Sequence, residues 1–209
     1  MRYHDLLTET WRTDDFCLPC YELFNRPSIK HTSKHHVKKS GSSSGGITLG
    51  FKLAIKQSIK LIASNPHFIW AKLENTFFNL NQGIFLCAIY VPPRDSPYFN
   101  PDIFDDLQTD IAKFSSEGLI MLTGDLNTRT GCGLDYVDTD PCTHIPGDDS
   151  LPPLHAQRER KNCDFHVNEH GQSLLEICKA CDLRILNGRT TGDSFGKTFH
   201  SPRGISTVD

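Results

Sequence analysis

Apolar residues in this chain fall into short runs with two rhythms, separated by turn residues. From Phe68 to Glu74, Ile69, Ala71 and Leu73 alternate with Phe68, Trp70, Lys72 and Glu74, a two-residue period that predicts a strand. Ile47 to Lys52 reads as another strand. Ile84 to Val91 is a mostly apolar strand, preceded by the turn Asn79-Leu80-Asn81-Gln82-Gly83 and closed by Pro92-Pro93. Proline cannot continue a sheet ladder, so Tyr90 is expected at the strand's tip. Leu119 to Thr123 is fully apolar, as in a sheet buried on both faces, and leads into Gly124-Asp125-Leu126-Asn127. Asp5-Leu6-Leu7-Thr8 reads as the end of a buried strand that carries Glu9 at its tip. One more strand is expected near Leu183 to Leu186, ahead of Asn187-Gly188-Arg189 and a turn at Gly192-Asp193.

The second rhythm is helical. Ile103, Phe104, Leu107, Ile111 and Phe114 recur at helix spacing, with Asn100 and Pro101 suited to the start and Gly118 to the stop, which predicts a helix over 101–117. Leu174, Leu175, Cys178 and Cys181 share one face of a helix predicted over 169–181. Two stretches lack either period. Residues 26–46 are basic and then Ser/Gly-rich, and 128–167 are rich in Asp, Pro and His; both are expected to be flexible loops. Strands alternating with helices give a layered α/β domain with its sheets inside. The polar residues of interest then lie at strand ends, where sites in α/β folds collect.

Composition narrows the function classes. The chain has 209 residues, 37% hydrophobic and 22% charged, which is enough for one domain over 1–209 with a real core. No apolar run is long enough for a membrane helix, and the first residues have no signal-peptide core, so no membrane partner and an intracellular location are expected. The net charge of −3 argues against a protein that only binds nucleic-acid backbone. Positive charge does crowd one stretch, where Arg26, Lys30, Lys34, Lys38 and Lys39 are interleaved with His31, His35 and His36. It reads as a solvated basic loop, and Lys34, Lys38 and Lys39 are its candidate phosphate contacts. Among the eight cysteines, Cys17/Cys20 and Cys178/Cys181 have the spacing of a four-thiolate zinc site. The apolar helix face expected around Cys178 and Cys181 favours their acting as small hydrophobes instead.

Candidate chemistry gathers at Gly124-Asp125-Leu126-Asn127. In extended chain Asp125 and Asn127 point to the same side. The carboxylate can orient or deprotonate a water, and the amide can hold that water or a phosphate oxygen. The competing reading is local, because Asp and Asn favour turns by bonding nearby backbone. Glu9 offers a hard oxygen ligand suited to Mg²⁺, against the plainer reading of an exposed strand-end glutamate. Tyr90 can donate to a phosphate oxygen, or simply cover the core as a strand-end aromatic.

The ordered series Thr8-Glu9-Thr10-Trp11, Ser44-Gly45-Gly46, Ile89-Tyr90-Val91-Pro92-Pro93, Gly124-Asp125-Leu126-Asn127, Asn168 to Cys178, Asn187-Gly188-Arg189 with Gly192-Asp193 and Thr198, and Ser206 to Asp209 resembles the endonuclease domain of non-LTR (LINE-type) retrotransposons. That domain is similar to apurinic/apyrimidinic endonucleases and belongs to the endonuclease/exonuclease/phosphatase superfamily. The resemblance implies a deoxyribonuclease-like four-layer α/β sandwich and divalent-metal-dependent hydrolysis of DNA phosphodiesters, with Mg²⁺ or Mn²⁺ as the cofactor. It also implies a nuclear location and a reverse transcriptase encoded in the same element as partner. By resemblance, Glu9 is the metal ligand, Tyr90 contacts the scissile phosphate, and Asp125 with Asn127 prepares the attacking water. Thr198 lies near the nucleic-acid phosphate, and Asp209 orients the family's catalytic histidine.

The chain departs from the pattern at two places. The family's opening strand, with an asparagine ahead of the glutamate, and its closing Ser-Asp-His strand are absent from the sequence, and His200 precedes Asp209 and does not fill the histidine's role. The expectation is a fold incomplete at both ends and impaired in catalysis. The alternatives are a phosphatase of the same superfamily and a non-catalytic nucleic-acid-binding remnant.

Overall fold

The structure, a computed structural model, describes residues 4–8, 10, 17–30, 43–137, 160–162, 164–189, 199–201 and 204–206. The chain divides into two compact units, Met1–Asn127 and Thr128–Asp209. It is mixed α/β, as expected, with sheets and helices in alternation.

The first unit runs β1 (His4–Thr8), β2 (Tyr21–Arg26), β3 (Ile29–Lys30), β4 (Ser43–Ser44), β5 (Ile47–Lys52), a 3-10 turn (Leu53–Ser58), β6 (Ile59–Ser64), β7 (Phe68–Leu73), α1 (Asn75–Phe78), β8 (Ile84–Tyr90), α2 (Ile103–Ser115) and β9 (Leu119–Asp125). A three-stranded sheet has the order β1-β5-β2, all antiparallel, and a four-stranded sheet has the order β6-β7-β8-β9, with only β8 and β9 parallel. The two-residue period of β7 and β8 sorts their side chains onto two faces. Ile69, Ala71, Leu86, Ala88 and Tyr90 pack with Ile47, Leu49 and Phe51 of β5 in one core between the sheets. The alternate residues meet α2. There Phe114 stacks on Phe85 with ring centroids 5.0 Å apart and tilts against Trp70, also at 5.0 Å. Trp70 Nε1 donates to Asp110 Oδ2 at 2.9 Å, so the buried indole keeps its hydrogen bond. Removing a side chain such as Phe85 or Leu107 from water stabilises by about 1.5–3 kcal/mol each.

Three expectations change in this unit. The strand Leu119–Asp125 is present but is not buried on both faces. It is the last strand of its sheet among the described residues, and Leu119 and Met121 are 47% and 41% exposed. Arg26 is not part of a solvated loop. It closes β2, and its guanidinium donates to the hydroxyl and carbonyl oxygens of Ser64 on β6. The expected loop 26–46 also holds an antiparallel pairing of Ile29–Lys30 with Ser43–Ser44, and 31–42 lie outside the described residues.

In the second unit, α3 (Glu169–Ala180) starts at Asn168, whose side chain accepts from Gly171 N at 2.7 Å. Leu174, Leu175 and Cys178 form its buried face, as the spacing predicts. β10 (Phe199–Ser201) and β11 (Gly204–Ser206) pair antiparallel. Within the expected loop 128–167, Arg129 holds Asp164 through two bonds of 2.7 and 2.8 Å, and Thr130 bridges to Val167. The strand expected at Leu183–Leu186 does not form. Asp135 Oδ2 accepts from Ile185 N at 2.7 Å, and Arg189 Nη1 donates to Ile185 O at 2.7 Å. With both main-chain groups of Ile185 bound by side chains, no neighbouring strand is needed to satisfy them.

Asp135 and Arg189 also pair with each other, with side chains 1% and 11% exposed. Burial pushes the Asp135 carboxyl up, but the Arg189 hydrogen bond, the Ile185 amide and the Arg189 charge together bring it below its ordinary value of 3.8. A carboxyl lowered on folding stabilises fully above its unfolded value and loses that contribution as pH falls through the folded one. Asp135→Ala is therefore expected to destabilise the second unit by about 3–5 kcal/mol at neutral pH, the usual cost of removing one partner of a buried pair. Denaturant unfolding checks it: the gap between native and variant should narrow below pH 4 as the native carboxyl is protonated.

Candidate functional site

The parallel ladder between β8 and β9 runs without a register shift from Ile84 opposite Leu119 to Tyr90 opposite Asp125. Both strands therefore end together. Val91 N donates to Asp125 O at 2.9 Å just beyond the last pair. Pro92 follows, which has no N–H to extend the ladder. Tyr90 is 4% exposed, its ring is part of the core between the sheets, and its backbone N–H donates to His67 O at 3.0 Å.

Beyond Asp125 the chain turns. The expected extended arrangement of Asp125 and Asn127 is not what forms. Asp125 Oδ1 accepts from Asn127 N at 2.9 Å, and Asn127 adopts a left-handed conformation at φ 49°. Asn127 Nδ2 donates to Val91 O at 2.9 Å, across 36 residues of sequence. Aspartate and asparagine suit this turn because their short side chains reach backbone two residues away and asparagine tolerates positive φ. The Asp125 side chain thus fixes the turn and the Asn127 side chain ties it to the end of β8, while Leu126 between them is buried.

The Ser44-Gly45-Gly46 segment reaches the same place from the other sheet. A Cβ on Gly45 would lie 3.6 Å from the Tyr90 ring, so the Gly45 backbone runs alongside that ring. Gly45 and Gly46 have φ of 72° and 95°, values that favour glycine. A Cβ on Gly46 would meet Thr10 Oγ1 at 2.3 Å. Thr10 N donates to Gly46 O at 3.3 Å, and Thr8 pairs with Ile47. The segment ahead of β5 and the end of β8 therefore meet at the Tyr90 ring.

Of the nominated residues, Tyr90, Asp125 and Asn127 are brought together. Glu9, Thr198, Asp209, Lys34, Lys38 and Lys39 lie outside the described residues. The described donors at the strand ends are a carboxylate, an amide and a phenol, all hard oxygen chemistry. That set fits Mg²⁺, which takes one or two carboxylates and keeps several waters. Among the described residues no group of three or more His, Cys, Asp or Glu gathers. The cysteines behave as fillers where they are buried: burial pushes the Cys178 thiol up to about 12, leaving it protonated at neutral pH. Sequence reasoning passed over Asp135 and the carbonyl of His67, because neither sits in a motif or at a marked strand end.

Gly124 is the residue on which this geometry is most exposed to change. Its φ is +144°, and a Cβ there would lie 1.9 Å from Ile89 O. Gly124→Ala is expected to part the ends of β8 and β9 and to lower the melting temperature, measured by circular dichroism. Asn127→Ala should destabilise by about 1–3 kcal/mol, because it removes the bond to Val91 O and puts alanine at a positive φ. No family model matches the chain, and no curated protein matches it at a significant level.

Proposed function

We propose that this chain is a divalent-metal-dependent phosphodiesterase domain of the endonuclease/exonuclease/phosphatase superfamily, with DNA as substrate and a role like that of the nicking endonuclease of a non-LTR retrotransposon. The observation that carries it is the joining of the Tyr90 and Asp125 strand ends through Asn127, with the Gly45 backbone laid beside the Tyr90 ring. Parallel neighbours end together in any α/β sheet, so Tyr90 beside Asp125 alone would say little. A glycine from the segment ahead of β5, Gly45, laid beside the Tyr90 ring is not demanded by that topology. The two sheets packed face to face, with α2 on the outer face of one, are compatible with a four-layer α/β sandwich. No helix among the described residues is long and apolar enough to cross a membrane.

In this proposal Glu9 and water hold the cation, which offsets charge on the phosphate and the leaving oxygen. Asp125 orients the attacking water and accepts its proton. The bond from Asp125 to Asn127 N fixes the carboxylate's direction before substrate arrives, and such preorganisation favours the transition state. Asn127 supports the developing negative charge from a position set by Val91. Tyr90 donates to a phosphate oxygen from the end of a strand its own ring anchors. A reverse transcriptase of the same element is the proposed partner and the nucleus the proposed location.

Metal binding is the first test, because it can be read without turnover. Mn²⁺ used as a paramagnetic probe should bind at one site and broaden the resonances of Tyr90, Asp125 and Asn127, and Glu9→Gln should weaken that binding. Nicking of supercoiled plasmid in Mg²⁺ should fall by about 10²-fold or more in Asp125→Asn. Mn²⁺ that binds elsewhere, or nicking that is indifferent to both changes, would refute the assignment. Release of phosphate from phosphoinositides without nicking would move it to a phosphatase.

A further inference from the structure

A groove of about 390 Å³ lies between β2 of the three-stranded sheet and β6 of the four-stranded one. Glu22 pairs with Lys56 just ahead of β6, and Arg26 bonds Ser64 at its end, so the two strands run side by side in the same direction. Alternation along β2 decides what faces the groove. Phe24 packs into the core between the sheets, edge-on to Phe51, and Arg26, two residues on, points the same way. Its Nη2 reaches across the gap and donates to the hydroxyl and carbonyl oxygens of Ser64. One end of the groove is therefore polar. The rest is apolar: Phe24 and Leu61 form its sides and the buried Ile69 its floor, with Leu61 43% exposed.

Arg26 is the residue without a match. Both of its hydrogen bonds go to neutral oxygens of Ser64, and among the described residues no carboxylate pairs with it. Its Nε–H is shut off from solvent and bonded to nothing. Arg129 and Arg189, by contrast, each close on an aspartate. A half-buried cation with an orphan donor is costly to keep, and an anion is what removes the cost. We propose that this groove binds a small amphiphilic carboxylate, its head group on the Arg26 guanidinium and its hydrocarbon chain along Phe24, Leu61 and Ile69. Each half of the site restricts the ligand. The planar fork of arginine suits a carboxylate. The apolar wall gives no partner to a bare oxyanion and rewards a hydrocarbon chain. The volume lies near the lower end of the roughly 300–1,000 Å³ usual for small-molecule sites, which limits the chain to a short one. The groove shares no residue with the strand-end site, so it stands whether or not the chain cleaves DNA.

Titration of octanoate into the isotope-labelled full chain tests this, with amide and guanidinium chemical shifts as the readout. Saturable shifts are expected at Arg26 Nε–H and at the amides of Phe24, Leu61 and Ser64. Hexanoate, two methylenes shorter, should bind about tenfold more weakly. Octan-1-ol, equally apolar but uncharged, should also bind about tenfold more weakly, as should octanoate to Arg26→Met. Arg26 ties the two sheets together, so that variant's melting temperature is measured beside its binding. Leu61→Gln changes a partly exposed side chain and is expected to keep the native melting temperature. It should weaken octanoate about fivefold and leave the weak binding of acetate unchanged. If Arg26→Met fails to fold, octan-1-ol and Leu61→Gln still decide. Octanoate that gives no saturable shift in the groove overturns the proposal. Octan-1-ol or inorganic phosphate binding there as tightly as octanoate overturns it too, as does octanoate indifferent to Leu61→Gln.

Discussion

Where Gly124 passes Ile89, the two backbones approach so closely that no side chain fits between them. That approach lets β9 stay in register beside β8 up to their last residues. The end of the ladder has three consequences. Tyr90 and Asp125 become neighbours, Val91 can bond Asp125, and Asn127 can turn back to the Val91 carbonyl. Each of these bonds is ordinary in strength, about 0.5–1.5 kcal/mol net. Their joint effect is geometric: the strand ends that carry Tyr90, Asp125 and Asn127 are held side by side.

The same strands explain why polar side chains gather at their ends. β8 is buried along nearly its whole length, packed on β5 from one side and α2 from the other. A charged or amide side chain inside it would have to lose its water without a partner, which is costly. Polar groups are admitted where the strand leaves the core and backbone N–H and C=O groups become available to bond them. Structural and chemical uses of Asp125 and Asn127 therefore do not exclude each other. A side chain locked by its own backbone is already oriented, and a catalytic constellation depends on that kind of second support.

Much of the first unit is legible in the sequence because its elements keep a clean period. β5, β7, β8 and α2 lie where alternation or helical spacing puts them, and the strand-end position of Tyr90 follows from Pro92-Pro93. β2 is missed because all its residues are half-buried and no alternation results. β6 is missed because Lys60 and the irregularity at Leu61 break the period that would reveal it. The burial of Leu119 to Thr123 is overestimated for the opposite reason: an apolar run looks alike in a central strand and at an unguarded edge. The absent strand at Leu183–Leu186 depends on Asp135, a residue 50 positions away whose partner role no local pattern encodes. Of the site, the meeting of Tyr90 with Asp125 is readable, since parallel strands place their ends together. The turn at Asn127 is readable only as one of two options, because the same Asp-x-Asn spacing serves an extended pair and a backbone-bonded turn.

Motifs differ in what they can say about activity. Asn187-Gly188-Arg189, the stretch that carries the likeness to the retroelement branch, is a structural clasp. Gly188 has φ +79° and leaves no room for a Cβ beside the Lys161 carbonyl, and Arg189 closes on Asp135. Folding alone would keep these residues in an active nuclease and in a silent remnant alike. The Gly124 turn is only partly different, since it too holds backbone. The weight therefore falls on the convergence of segments that folding does not by itself require to meet, the Gly45 backbone against the Tyr90 ring above all. The side chain whose replacement most sharply separates a metal-dependent enzyme from a remnant is then Glu9, because its proposed role is to hold the cation and nothing else.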